Sequence, residues 1–179
     1  MKGVEVGFKA ERVIRGGATV ATFIGGIEGQ KGYAPVDVRG YDLILINVGT
    51  NDVAQGRSVS KIIDDLTYLV ETIRILNGFA VIAMATILYR PHDDRDTYGV
   101  ISAVNRLILS FSTKLHNCFC LRSVNLFRAG PVNLRTDLYS QGGVHLSTRG
   151  KEVLGHYLSS QLSNGNIAVL LRRYPGLPY

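Results

Sequence analysis

A three-layer α/β/α sandwich around a mainly parallel sheet is the fold class this sequence predicts, on three observations. Four short apolar segments have the length of strands, and longer segments of helical period separate them. The strand segments run apolar without strict alternation, the pattern of strands buried on both faces. Strand, helix, strand, helix order leads to a parallel sheet with right-handed crossovers and helices on both sides. At 179 residues the chain suits one domain, able to bury about 70% of its unfolded surface.

Taken in order, the strand candidates are Val4 to Phe8 or Glu11 to Ile14, then Leu43 to Val48, Ala80 to Ile87 and Phe119 to Val124. A first, short helix is expected after Gly16-Gly17, ending at the glycines Gly25-Gly26. Between Ser60 and Leu76, the positions Ile62, Leu66, Leu69, Val70, Ile73 and Leu76 form one stripe at the 3.6-residue period. Between Tyr98 and Leu115 the stripe is Ile101, Val104, Leu107, Ile108, Phe111 and Leu115. Ser147 is placed to cap a last helix carrying Val153, Leu154, Tyr157, Leu158 and Leu162. Two long loops, Leu88 to Thr97 and Asn125 to Val144, follow strands, where open α/β sheets build their sites and where substrate specificity is expected. The expected organisation is one domain over residues 1–163 and a tail over 164–179 with no repeating element.

Composition narrows the function classes. With 46% hydrophobic and 19% charged residues the chain is an ordinary globular protein, not a disordered one. Its net charge of +6 is spread mostly over single basic residues, and only Arg172-Arg173 are adjacent arginines. A nucleic-acid groove more often shows a basic stripe interleaved with aromatics, so the charge argues against a nucleic-acid partner. Cys118 and Cys120 lie two apart on a strand, so their side chains stand parallel on one face, about 6.6 Å apart along it, wider than a disulfide prefers. That disfavours a mutual disulfide, and Cys-x-Cys without further ligands is a poor metal signature, so no metal is expected. The start of the chain lacks the apolar core of a signal peptide, and no apolar run has the length of a membrane span. The expectation is a cytoplasmic protein with free thiols and no membrane partner. No G-x-G-x-x-G or G-K-[ST] phosphate loop is present, which excludes a nucleotide-binding reading.

Three segments carry chemistry. Tyr41-Asp-Leu-Ile-Leu-Ile-Asn-Val runs into Gly49-Thr-Asn51-Asp52. Glycine lets a backbone N–H face a ligand, and an asparagine amide can donate two hydrogen bonds. The plain alternative is a turn, since Asn and Asp both favour one. Arg12-Val-Ile-Arg-Gly16-Gly17-Ala-Thr offers a second backbone donor at Gly17, or simply a strand-to-helix turn. Gly142-Gly-Val-His145-Leu-Ser sets a histidine just ahead of a helix. An imidazole is the side chain suited to moving protons near neutral pH, although a lone histidine at a helix start is more often a packing residue.

Together these segments resemble the third, second and fifth sequence blocks of the SGNH (GDSL-type) hydrolases, with similarity running from about Val4 to Leu162. The resemblance implies an SGNH-hydrolase, flavodoxin-like sandwich. It implies that Gly17 and Asn51, next to Gly49, form an oxyanion hole, that His145 is the general base, and that no cofactor is needed. The implied activity is hydrolysis of a small acyl ester. Two departures bear on that activity. The family's nucleophilic serine follows its first strand in a Gly-Asp-Ser turn, and no such segment occurs here, so the first strand is expected to be missing. Ser58 and Ser60 look like helix-start residues, and Ser102 and Ser110 fall within a helix. Gly142 stands where the aspartate three residues before the histidine is expected, and Asp137, five residues upstream, is the nearest substitute. The loss of the acid in a serine triad costs roughly 10⁴ in turnover and the loss of the serine roughly 10⁶. The expected function is therefore SGNH-type ester hydrolysis, impaired or absent. The alternative is an inactive binding or scaffolding module with a protein partner, or one associated with nucleic acid.

Overall fold

A computed structural model describes residues 13, 15–130 and 133–163 of the chain. Among the described residues three parallel strands form the sheet in the order β1-β2-β3, namely β1 (Leu43–Ile46), β2 (Val81–Ala85) and β3 (Cys118–Leu121). Leu43 pairs with Val81 and Ile82 with Cys118, so each crossover brings the next strand in alongside the last. All five residues of β2 are buried, which matches a central strand covered on both faces. The expected strands are each shorter at one or both ends than their apolar runs, because residues past the strand ends serve the loops that follow. The expected strand at Val4 to Phe8 or Glu11 to Ile14 lies outside the described residues apart from Val13, and so does the expected tail from Asn164.

Five α-helices are described: α1 (Val20–Ile27), α2 (Thr50–Ala54), α3 (Val59–Leu76), α4 (Arg95–Lys114) and α5 (Thr148–Ser163). Each of the longer ones begins where a side chain satisfies free N–H groups of the first turn. Ser58 accepts from the Lys61 N–H at 3.3 Å, Asp94 from the Thr97 N–H at 2.7 Å, and Ser147 from the Gly150 N–H at 3.1 Å. Thr19 and Thr22 cap α1 reciprocally. The expected stop of α1 at Gly25-Gly26 is not observed, since the helix continues to Ile27. Those glycines are there for close approach. A Cβ on Gly25 would stand 2.7 Å from the Tyr33 ring, and one on Gly26 would stand 2.6 Å from the Ala34 carbonyl oxygen.

The layers follow from the two faces of β2. Ile82 and Met84 join the main core with Ile24 of α1, Ile62, Leu66, Leu69, Val70 and Ile73 of α3, and Ile101, Val104, Ile108 and Phe111 of α4. Ala83 and Ala85 face the other way and pack with Leu121, Tyr157 and Leu158. Small alanines on that face let α5 sit close to the sheet. The result is the predicted sandwich, with α1, α3 and α4 on one side and α5 on the other. No helix among the described residues is long and apolar enough to cross a membrane. Cys118 and Cys120 are free thiols, and burial raises both pKa values to about 11.

Candidate active site

In a parallel sheet every strand ends on the same edge, so the segments after β1, β2 and β3 converge there. Gly49 follows β1 and takes a left-handed φ of +112°, ahead of the first turn of α2. A Cβ there would stand 2.7 Å from Cδ1 of Ile87, which follows β2. Only glycine fits both conditions. The Gly-Thr-Asn-Asp segment is therefore the start of a helix, not the loop or turn that its composition suggests. Ile87 itself is fixed by a buried residue of α4: Asn105 accepts from the Ile87 N–H at 2.8 Å and donates to its carbonyl at 2.9 Å.

Gly17 lies in a turn closed by the Ala18 N–H donating to the Arg15 carbonyl at 3.3 Å, with φ at +73°. Positive φ at the third position of such a turn calls for glycine. Asn51 then reaches this turn. Its Nδ2 donates to the Ala18 carbonyl at 2.8 Å, leaving the second N–H of the amide for another acceptor. The structure thus joins the segments of Gly17, Gly49 and Asn51 on one edge of the sheet.

His145 belongs to a hairpin between β3 and α5. Tyr139 and Leu146 form an antiparallel bridge, and the Ser140 N–H donates to the His145 carbonyl at 2.8 Å. The hairpin is fastened to the loop after β2. The Tyr139 hydroxyl donates to the Tyr89 carbonyl, and a Cβ on Gly143 would stand 2.7 Å from the His92 ring. Tyr89 stacks on Tyr98 with ring centroids 4.7 Å apart and carries the Arg128 guanidinium 5.3 Å from its centroid. The two long loops expected to carry specificity are locked to each other by these contacts. Burial raises the Tyr139 phenol pKa, which keeps this hydroxyl a donor.

The His145 side chain is exposed, and among the described residues nothing hydrogen-bonds its imidazole. Asp137 is not its partner, because its carboxylate faces Arg149 at 3.2 Å and Arg135 at 3.4 Å. The four serines weighed above hold the places their context suggests. Ser58 caps α3 and shares a hydrogen bond with Ser60, Ser102 bonds the Tyr89 hydroxyl, and Ser110 bonds the Leu107 carbonyl. Sequence reasoning missed His92 and Asn105, as well as Gly150, whose Cα packs against the Leu138 carbonyl so closely that a Cβ would collide with it. The only advance signal was Gly150 inside a helix, where glycine is costly without a packing reason. Among the described residues no group of three or more His, Cys, Asp or Glu is placed to hold a metal ion.

A family model described as GDSL-like lipase/acylhydrolase matches residues 7–153. The chain belongs to that family. Solved structures agree on the fold. A lipolytic protein of the G-D-S-L family from Veillonella parvula superposes with a TM-score of 0.65 at 21% identity, over 83% of this chain and 76% of that one. A GDSL-like lipase from Bacteroides thetaiotaomicron gives 0.65 at 16% identity, over 83% and 73%. A carbohydrate esterase of family 3 from Talaromyces cellulolyticus gives 0.63 at 19% identity, over 86% and 69%. No curated protein matches the chain by sequence.

Proposed function

We propose that this edge of the sheet is an acyl-ester hydrolase site, with activity impaired in the chain as it stands. The observation that carries the reading is the hydrogen bond from Asn51 to Ala18, which sets the Asn51 amide beside the Gly17 turn. Two N–H donors from separate elements, brought together at the end of a parallel sheet, suit the oxygen of an acyl group as it gains charge. His145, on the hairpin over the same edge, is the proton acceptor. No serine of the chain stands in a Gly-Asp-Ser turn. In this reading His145 takes its proton from water, whose oxygen attacks the acyl carbon. The tetrahedral intermediate then collapses, and the departing alkoxide takes the proton back. Turnover falls roughly 10⁶-fold below that of a complete triad.

The test is hydrolysis of p-nitrophenyl acetate by the parent and by His145→Ala. Weak hydrolysis above the buffer rate that the variant loses supports the reading, together with no covalent labelling by a fluorophosphonate. A variant as fast as the parent removes His145 from the mechanism. A second reading, a binding or scaffolding module on the same fold, is favoured by the exposed imidazole of His145, without a partner among the described residues, and by Gly142 in place of the aspartate. It predicts that the parent does not raise the hydrolysis rate at all.

A further inference from the structure

Asp52 is fully buried, and a buried carboxylate is tolerated only where its oxygens are engaged. One oxygen accepts the N–H of Val20, the first residue of α1, at 3.0 Å. The other is paired with Arg57 Nη1. Arg57 is in turn held by Asp65 of α3 at 2.5 Å, and Asp65 by Lys61 at 2.9 Å. These four charges sum to zero. The residue before Asp52 is Asn51, which grips Ala18. Two consecutive side chains at the start of α2 therefore hold the stretch that directly follows Gly17.

Helix capping accounts for only one of these bonds: Thr19 and Thr22 satisfy each other's N–H groups, and Asp52 takes the further free N–H of Val20, which leaves the pairing with Arg57 unexplained. Stability does not account for it either, since a buried ion pair is often no better than apolar residues of the same volume. Its distinctive effect is placement. The Asp52 bond fixes α2 against α1, and with it the separation of the Gly17 N–H from the Asn51 amide. The Arg57 pair cancels a negative charge that would otherwise stand one residue from an anion-binding amide.

We propose that Asp52, neutralised by Arg57, is a positioning residue that holds the Gly17 and Asn51 donors at the spacing a carboxylate or acyl oxyanion requires. This rests on reading those two groups as oxyanion donors.

The experiment uses acetate, the acid product of a short acyl ester, titrated into the full chain while the Gly17 N–H and Asn51 side-chain amide are followed by nuclear magnetic resonance. In the parent both resonances shift saturably. Asp52→Asn and Arg57→Gln each weaken acetate by about 10- to 100-fold, the range for one charge-assisted hydrogen bond. Arg57→Lys, which keeps the charge, recovers part of that loss. Asn77→Ala removes an amide that ties the Val38 and Tyr41 carbonyls ahead of β1, so it lowers stability and leaves acetate affinity unchanged. Unchanged affinity in Asp52→Asn overturns the proposal, as does an equal loss in Asn77→Ala. If acetate shifts nothing in the parent, the oxyanion reading fails by itself. Positioning is then decided by hydrogen exchange of the Val20 N–H and the Asn51 amide. Protection lost in Arg57→Gln or Asp52→Asn supports it, and protection kept in both overturns it.

Discussion

Gly49 shows how one residue serves both the fold and the proposed site. Its φ of +112° and the Ile87 methyl 2.7 Å from where a Cβ would be make any side chain doubly costly. Gly49→Ala is expected to destabilise the protein by about 1–3 kcal/mol through the strained backbone. It should also displace Asn51, two residues on. Denaturant unfolding measures the first effect, and the Asn51 amide chemical shifts report the second. That Gly-Thr-Asn-Asp sits where a strand gives way at the sheet's edge was legible from the apolar run before it. That Asn51 bonds Ala18 was not, because the two residues are 33 apart in sequence and nothing local links them. Asp52 was missed for a related reason. A carboxylate in a turn-like tetrapeptide reads as solvated, and only the fold shows that Val20 and Arg57 enclose it.

At the scale of elements, the pattern of α3 was legible almost to the residue, since its stripe of Ile62, Leu66, Leu69, Val70 and Ile73 is the face that lies buried. The ion network at its start was not legible. Burial works to raise the Asp65 pKa, but the hydrogen bonds from Lys61 and Arg57 outweigh it, and the pKa is lowered on balance. The folded protein therefore binds this proton less readily than the unfolded chain. Its contribution to stability is complete above the ordinary carboxylate pKa of about 4 and is lost as pH falls through the lower folded value. Asp65→Asn should unfold with a shallower loss of stability over that acid range than the parent, as thermal melts at a series of pH values would show. The start of α5 makes a second case. Gly150 lets the helix press against the Leu138 carbonyl, so Gly150→Ala should cost about 1–3 kcal/mol by overpacking and loosen the hairpin that carries His145. A comparable loss of stability with unchanged His145 resonances would show that the hairpin is held by Tyr139 and His92 alone.

For the whole molecule, the alternation of strand and helix was enough to predict the sandwich, because a parallel sheet needs a helix between strands and covers on both faces. The division of labour between the faces was not readable from that pattern. It depends on Ile82 and Met84 facing α3 and α4 while Ala83 and Ala85 face α5. The thiols of β3 give a reporter of this packing. With pKa values near 11 in place of 9.0, the native thiolate population at pH 8 is about a hundredfold below that of an unperturbed cysteine. Labelling by a thiol reagent should be slow in the native state and should rise together with global unfolding in urea. Fast native labelling would show that β3 opens without the rest of the sheet.

The claim that the Gly17 and Asn51 donors and His145 act on one acyl group is tested most directly by a double-mutant cycle on p-nitrophenyl acetate hydrolysis. Initial rates would be compared for the parent, Asn51→Ala, His145→Ala and the double variant. Parts of one reaction are strongly non-additive, so the double variant should be no slower than His145→Ala alone. A parent rate equal to that of the buffer, or single losses that simply multiply in the double variant, would contradict the account.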